Sequence, residues 1–307
     1  MNNIKPKVSV VIVTYNRPKF IPLAIQSILD QTYQDFEILV VDNGIDKPAK
    51  NIVENFNDSR IKYLPQIKNT GCSGGKNVGI KNAECEFVAF LDDDDVWLPK
   101  KLELQMNAFE KYPEAGFCFT AITEVRDEGE IHSQVPEGVD NYFEFALRKF
   151  NGFLSSTLII KKEVFENVGF LSENFPSHTD IDLVIRITKE YKGIAINKPL
   201  IKMHLLSGHE QMGNNFGGGA KYEKRIKGRH MLLEKYKEDF KKRPLILSKH
   251  LMLLAKFYRN DGRYKEARKM FLKTFRTYFR PIIIIHYFSL LFNGLGYRLF
   301  KFIKKLF

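Results

Sequence analysis

The stretch Phe87-Val88-Ala89-Phe90-Leu91-Asp92-Asp93-Asp94-Asp95 decides the fold. Five apolar residues form a strand that other elements must cover, and the strand runs directly into four carboxylates. Side chains alternate faces along a strand, so Asp92 and Asp94 are expected on one side and Asp93 and Asp95 on the other. Two carboxylates held close together repel and raise each other's pKa. A divalent cation removes that conflict. Carboxylate ligation suits hard ions such as Mg2+ or Mn2+, which often also hold phosphates. In open parallel sheets, ligands gather at the carboxyl ends of strands, where this cluster stands. The same residues also suit a solvated acidic turn ahead of a helix, since acids favour helix N-termini and Pro99 suits a first turn.

Working outward, Lys7 to Thr14 (KVSVVIVT) is a near-continuous β-branched run, the pattern of a parallel strand covered on both faces. A helix is expected from Pro18 to Gln31, with apolar residues at the helical period. Strand 36–42 (FEILVVD), helix 49–56, strand 61–64, a glycine-rich loop 69–75 and helix 76–83 follow. Strands and helices alternating at this spacing predict an α/β protein with a mainly parallel sheet. Beyond the acidic run, the pattern predicts helices over 99–111, 162–168 and 180–191, and strands over 115–122, 158–160 and 198–203. Residues 125–141 read as an irregular loop. The Gly- and Asn-rich stretch 207–220 reads as a mobile loop over a ligand.

Composition changes after Tyr222, giving an expected division into 1–221 and a helical, basic region 222–307. Gly262, Tyr264, Ala267 and Phe271 match the turn and second helix of one tetratricopeptide-like unit. One unit is not an array, so a local helical hairpin is expected. The tail 287–307 mixes Phe and Leu with Arg298, Lys301, Lys304 and Lys305. A basic amphipathic helix of this kind lies in a membrane interface or packs on a neighbour.

The formal net charge is +12, with Lys and Arg crowded into the last third. No nucleic-acid motif accompanies that charge, so no nucleic-acid partner is expected. The three cysteines, Cys72, Cys85 and Cys118, have no CxxC spacing, which argues against a disulfide framework or zinc site. Residues 1–7 are polar, without a signal-peptide apolar region. No apolar run approaches the ~20 residues that span a bilayer; the longest, Ile282 to Phe292, is interrupted by His286. A cytoplasmic protein, peripheral on the membrane's inner face through its basic helices, is the expectation.

Four motifs stand in order: VSVVIVTYNRP at 8–18, EILVVDNG at 37–44, NTGCSGGKNVGI at 69–80 and FVAFLDDDDVWLPKKLELQ at 87–105. A weaker fifth is TDIDLVIRI at 179–187. Together they resemble the family-two glycosyltransferases of the GT-A fold, a Rossmann-like nucleotide-diphospho-sugar transferase architecture, over about residues 5–215. The resemblance implies a base-binding loop at Thr14, Tyr15 and Arg17. It implies that Asp42 accepts from the base, although Asn43 follows where Asp is common. Gly71 and Lys76 would meet the diphosphate, on backbone N–H groups that favour anions at a helix start. Lys76 stands where the family usually has Arg, keeping the charge without bidentate geometry. Asn77 reads as a bridge to the acidic turn.

By the same resemblance Asp94 coordinates the metal, while Asp92 or Asp93 reaches the ribose or metal-bound water. Asp180 matches the general base, with Thr179 and Val184 standing where the family has an acid and a Trp. Asp182 reads as structural, paired with Arg186 at i+4. His204 and His209 match a loop that contacts metal or diphosphate in relatives. The implied protein is an Mn2+- or Mg2+-dependent inverting transferase. It would move a sugar from a nucleotide-sugar donor, a UDP-sugar, to a glycan or lipid-linked acceptor in surface polysaccharide synthesis. The departures at Thr179 and Val184 also allow a non-catalytic nucleotide-sugar-binding protein of the same fold.

Overall fold

The computed structural model describes residues 7–47, 49–148, 153–205 and 218–278. Contacts divide the chain into two units, Met1–Asn174 with Thr179–Gln211, and Phe175–His178 with Met212–Phe307. The expected boundary after residue 221 falls inside a helix of the second unit.

In chain order the first unit carries β1 (Val8–Thr14), α1 (Ile21–Leu29), β2 (Phe36–Asp42), α2 (Lys50–Glu54), β3 (Ile61–Pro65), α3 (Gly71–Asn82), β4 (Phe87–Asp92) and β5 (Asp95–Trp97). Then come α4 (Lys101–Lys111), β6 (Phe117–Arg126), β7 (Gly129–His132), β8 (Gly138–Asp140), α5 (Phe143–Arg148), a 3-10 turn at Ser155–Thr157, β9 (Ile159–Lys161), α6 (Lys162–Val168), α7 (Thr179–Glu190) and β10 (Gly193–His204).

The sheet runs β3-β2-β1-β4-β9-β6-β10-β5. β1 is buried at every residue and pairs in parallel with β2 and with β4, so three strands end side by side at Thr14, Asp42 and Asp92. β2 and β3 continue the parallel half, and β6 and β10 pair in parallel beyond it. β9 sits antiparallel between β4 and β6. Both faces of the parallel half are covered. Ile21, Ile25 and Ile28 of α1 and Leu102, Met106 and Phe109 of α4 join Val8, Val10, Ile12 and Leu91 in one apolar core.

Four local readings change. The glycine-rich residues 71–75 lie within α3, not in a loop before it. A Cβ on Gly75 would stand 2.5 Å from Val13 Cγ1, and one on Gly79 would overlap Val11, so these glycines let the helix lie close on β1. Tertiary contact thereby overrides their poor helix propensity. The acidic run does not lead straight into a helix: Asp95–Trp97 turns back as β5 and pairs antiparallel with β10. Residues 125–141 are not irregular throughout, since β7 and β8 pair with β6 and β10. β10 starts at Gly193, before the expected 198. It shifts register on both sides of Pro199, which cannot donate to the ladder.

The second unit carries α8 (Gly218–Lys235), α9 (Lys237–Lys241), α10 (Pro244–Asn260) and α11 (Tyr264–Thr277). α10 and α11 form the expected hairpin. Leu254, Ala255, Tyr258, Ala267 and Phe271 close on one another with Ile226 of α8. The turn needs Gly262, whose φ is +81°. No helix among the described residues is long and apolar enough to cross a membrane. Of the sequence expectations, the mobile loop up to residue 217, His209, Ile282–Phe292 and the tail 287–307 lie outside the described residues.

Candidate functional site

The loop after β1 turns sharply at Asn16, whose φ is +53°, a conformation asparagine tolerates. The turn leaves Tyr15 half-exposed and buries Arg17. Arg17 Nη1 donates to Asp94 Oδ2 at 3.0 Å, and Nη2 is bonded to Asp93. The predicted alternation holds across the acidic turn: Asp93 and Asp95 are buried, and Asp92 and Asp94 are partly exposed. Asp93, expected to reach a ribose, is fully buried against Arg17. Burial raises its pKa to about 7, with Asp94 and Asp92 adding and Arg17 opposing. Burial and the nearby Asp92 likewise hold Asp95 well above the carboxylate range, against the Ser156 hydrogen bond.

The turn Ser155–Thr157 locks this cluster from behind. Ser156 Oγ donates to Asp95 Oδ2 at 2.6 Å and accepts from the Asp92 N–H at 3.1 Å. Trp97 Nε1 donates to the Ser156 carbonyl at 2.9 Å. Ser155 Oγ donates toward both Asp92 oxygens, at 3.2 and 3.3 Å. No sequence motif pointed to Ser155 or Ser156. Their role depends on β9 being inserted beside β4.

α3 is seated by Asn43, whose amide donates to the Gly71 carbonyl at 2.9 Å and accepts from Thr70 Oγ1 at 3.2 Å. An aspartate at 43 could not make the first of these bonds. Gly71 itself has φ +72°, which suits glycine. Asp42 is fully buried and accepts from the N–H groups of Gly44 and Ala49 and from the Tyr63 hydroxyl. It therefore shapes the loop after β2. Asn77 bonds Leu171 and Glu173, so it bridges α3 to the loop after α6 rather than to the acidic turn. Burial pushes the Cys72 thiol up to about 12, with Lys76 opposing, so it stays protonated.

Lys76, one turn into α3, is buried and points at three acceptors. Its Nζ lies 2.6 Å from Ser155 Oγ, 3.3 Å from Asp92 Oδ1 and 3.3 Å from Asp180 Oδ1. Burial works to lower its pKa, but Asp180 and Asp92 outweigh burial and hold it well above the usual value. Asp180 sits in the first turn of α7, partly exposed, two residues before a buried Asp182. Asp182 Oδ2 accepts from Arg186 Nε at 3.1 Å, as the i+4 spacing predicted.

Among the described residues no three His, Cys, Asp or Glu side chains converge as a metal cage. Mg2+ is commonly held by one or two carboxylates, with water and phosphate filling its remaining positions. Asp92, the last residue of β4, and Asp94, two residues on, supply that number and are partly exposed, so the donor set suits such an ion. His204 ends β10 one residue beyond Met203, the partner of Asp95, and lies within electrostatic reach of Glu130.

The model of one family matches residues 9–169, more than half of the chain: glycosyl transferase family 2. The chain belongs to that family. This glycosyltransferase is 35% identical over 204 residues to a GalNAc(5)-diNAcBac-PP-undecaprenol β-1,3-glucosyltransferase of Campylobacter jejuni, covering 63% of each chain. It is 40% identical over 100 residues to a UDP-Glc:α-D-GlcNAc-diphosphoundecaprenol β-1,3-glucosyltransferase of Escherichia coli, covering 33% of this chain and 40% of that one. An uncharacterised glycosyltransferase of Methanocaldococcus jannaschii is 30% identical over 208 residues, 66% of this chain and 71% of its own. The chain thus spans less than two thirds of the two relatives whose names give a substrate. Among solved structures, S. aureus TarS 1-349 in complex with UDP-GlcNAc superposes with a TM-score of 0.65 at 19% identity, covering 88% of this chain and 81% of that chain. At that identity the likeness establishes a shared fold. The four ordered motifs lie within the matched region except for the first residue of the first motif.

Proposed function

We propose that this glycosyltransferase moves a sugar from a UDP-sugar to a hydroxyl of a lipid-linked glycan, in a single displacement with inversion. The observation that carries the reading is the Lys76 ammonium, within 3.3 Å of both Asp92 and Asp180. One cation thus joins the strand-end carboxylates, where a diphosphate would lie, to the carboxylate matched to the general base. Asp180 takes the proton of the attacking hydroxyl. Lys76 and the N-terminus of α3 face the negative charge that develops on the leaving diphosphate. Tyr15 and Arg17 border the nucleotide at the end of β1, and Arg17 keeps Asp94 in place. Mg2+ or Mn2+ held by Asp94 or Asp92, with water and phosphate completing its shell, would add Lewis-acid charge against the departing diphosphate, and His204 does not join them.

A lipid-linked acceptor is supported by the names of the Campylobacter and Escherichia relatives. It agrees with α11, which exposes Leu272 and Phe275 beside Lys269, Lys273 and Arg276, with exposed Tyr278 directly after it. Such a face suits an anionic membrane surface on the cytoplasmic side. The deciding experiment is binding and slow hydrolysis of a nucleotide-sugar panel with and without Mn2+, on wild type and Asp94→Ala. Metal-dependent binding of one donor, lost in the variant, supports the reading. Absence of donor binding with every metal removes it.

A further inference from the structure

We propose that Asp180 and the diphosphate of the nucleotide compete for the Lys76 ammonium, so that donor binding itself releases the base. The inference rests on the functional reading above and adds a coupling to it. An ammonium has three N–H donors, and Lys76 has three acceptors: Ser155 Oγ at 2.6 Å, Asp92 Oδ1 at 3.3 Å and Asp180 Oδ1 at 3.3 Å. A phosphate oxygen that bonds Lys76 directly must replace one of them.

The three acceptors are not equally held. Ser155 is buried in a turn whose neighbouring serine is bonded to Asp92 and Asp95 and whose backbone carbonyls accept from Trp97 and Gln105. Asp92 is kept beside Lys76 by the Ser155 hydroxyl, which reaches both its oxygens. The polarity of that chain is set by chemistry, since the ammonium only donates and the carboxylate only accepts. Asp180 comes from a different element, is partly exposed, and bonds only Lys76 among the described residues. Asp180 is therefore the acceptor that gives way. While Lys76 donates to it, Asp180 Oδ1 is already engaged as an acceptor. Once the diphosphate holds Lys76, Asp180 is free to accept from the sugar acceptor's hydroxyl.

The test is equilibrium binding of UDP and of uridine, in buffer with Mn2+, to wild type, Asp180→Asn, Lys76→Met and the double variant. Competition predicts that Asp180→Asn binds UDP about fivefold tighter or more, in the range of ordinary couplings between two ligands of one group. Uridine, which has no phosphate, binds both equally. In the Lys76→Met background, Asp180→Asn changes nothing, as a cycle on a shared partner requires. Equal UDP affinity of wild type and Asp180→Asn, each with an unchanged melting curve, overturns the proposal. If the Asn variant misfolds, Asp180→Ser takes its place in the same cycle. If wild type binds neither UDP nor uridine, the functional reading fails instead, which separates the two.

Discussion

Arg17 reaches across the sheet end to Asp94, 3.0 Å from Nη1 to Oδ2, and holds buried Asp93 with its other nitrogen. One guanidinium therefore sets two of the four carboxylates in the acidic turn. Arg17→Ala leaves Asp93 buried without that cation. The expected loss is about 3–5 kcal/mol where Asp93 is charged. Asp93 already has its pKa raised to about 7 in the folded protein, from 3.8. A raised carboxylate keeps its proton in the fold, so wild type loses stability as pH rises from the unfolded value toward 7. Protonation at low pH relieves the variant too, so its deficit is small in acid and grows as pH rises through and beyond 7. Urea unfolding of both proteins at pH values either side of 7 measures this.

Asp180 and Asp182 stand two residues apart and predict opposite phenotypes. Asp180→Asn should lower turnover by about 100- to 10,000-fold, the ordinary contribution of a general base, with the melting temperature unchanged. Asp182 is fully buried against Arg186, whose guanidinium also donates to the carbonyls of Val168, Gly169 and Phe170. Asp182→Ala should destabilise by about 3 kcal/mol or more. Paired turnover and melting measurements distinguish the two.

Gly75→Ala and Gly79→Ala would be mildly favourable in an isolated helix. Here each should destabilise, because the new methyl meets Val13 or Val11 of β1. About 1–3 kcal/mol is expected for each, read as a shift in denaturant midpoint with the slope unchanged.

Lys101 is fully buried, with Nζ 2.7 Å from Gln105 Oε1 and 3.8 Å from the centre of the Trp97 ring. Burial lowers its pKa to about 7, from 10.5. The unfolded chain therefore binds more protons than the fold between these values, and stability from this group rises as pH climbs through that window. Lys101→Met should remove the rise, on the order of 5 kcal/mol. The difference in urea midpoint between variant and wild type, followed from neutral to alkaline pH, checks it.

Much of the sheet was legible because burial on both faces writes itself as β-branched runs. Val8–Thr14 and Phe36–Asp42 could be little else, and the burial of Asp92 to Asp95 alternates as expected although Asp93 and Asp94 form the turn between β4 and β5. The start of helix α3 is not legible in the sequence because Gly75 and Gly79 answer to Val13 and Val11, which are distant in sequence. β5 and the first half of β10 are not legible in the sequence because their partners are remote, and pairing rather than propensity makes them strands.

The order of the motifs carried the resemblance to the family, while the parallel half of the sheet and the placing of carboxylates at strand ends follow from local period and residue type. Tertiary structure decided which charges meet. Arg17 falls to Asp93 and Asp94, Lys76 to Asp92 and Asp180, and Ser155 to the space between them. Those pairings join residues 16 to 104 positions apart, and they form because the sheet delivers distant segments to the same edge.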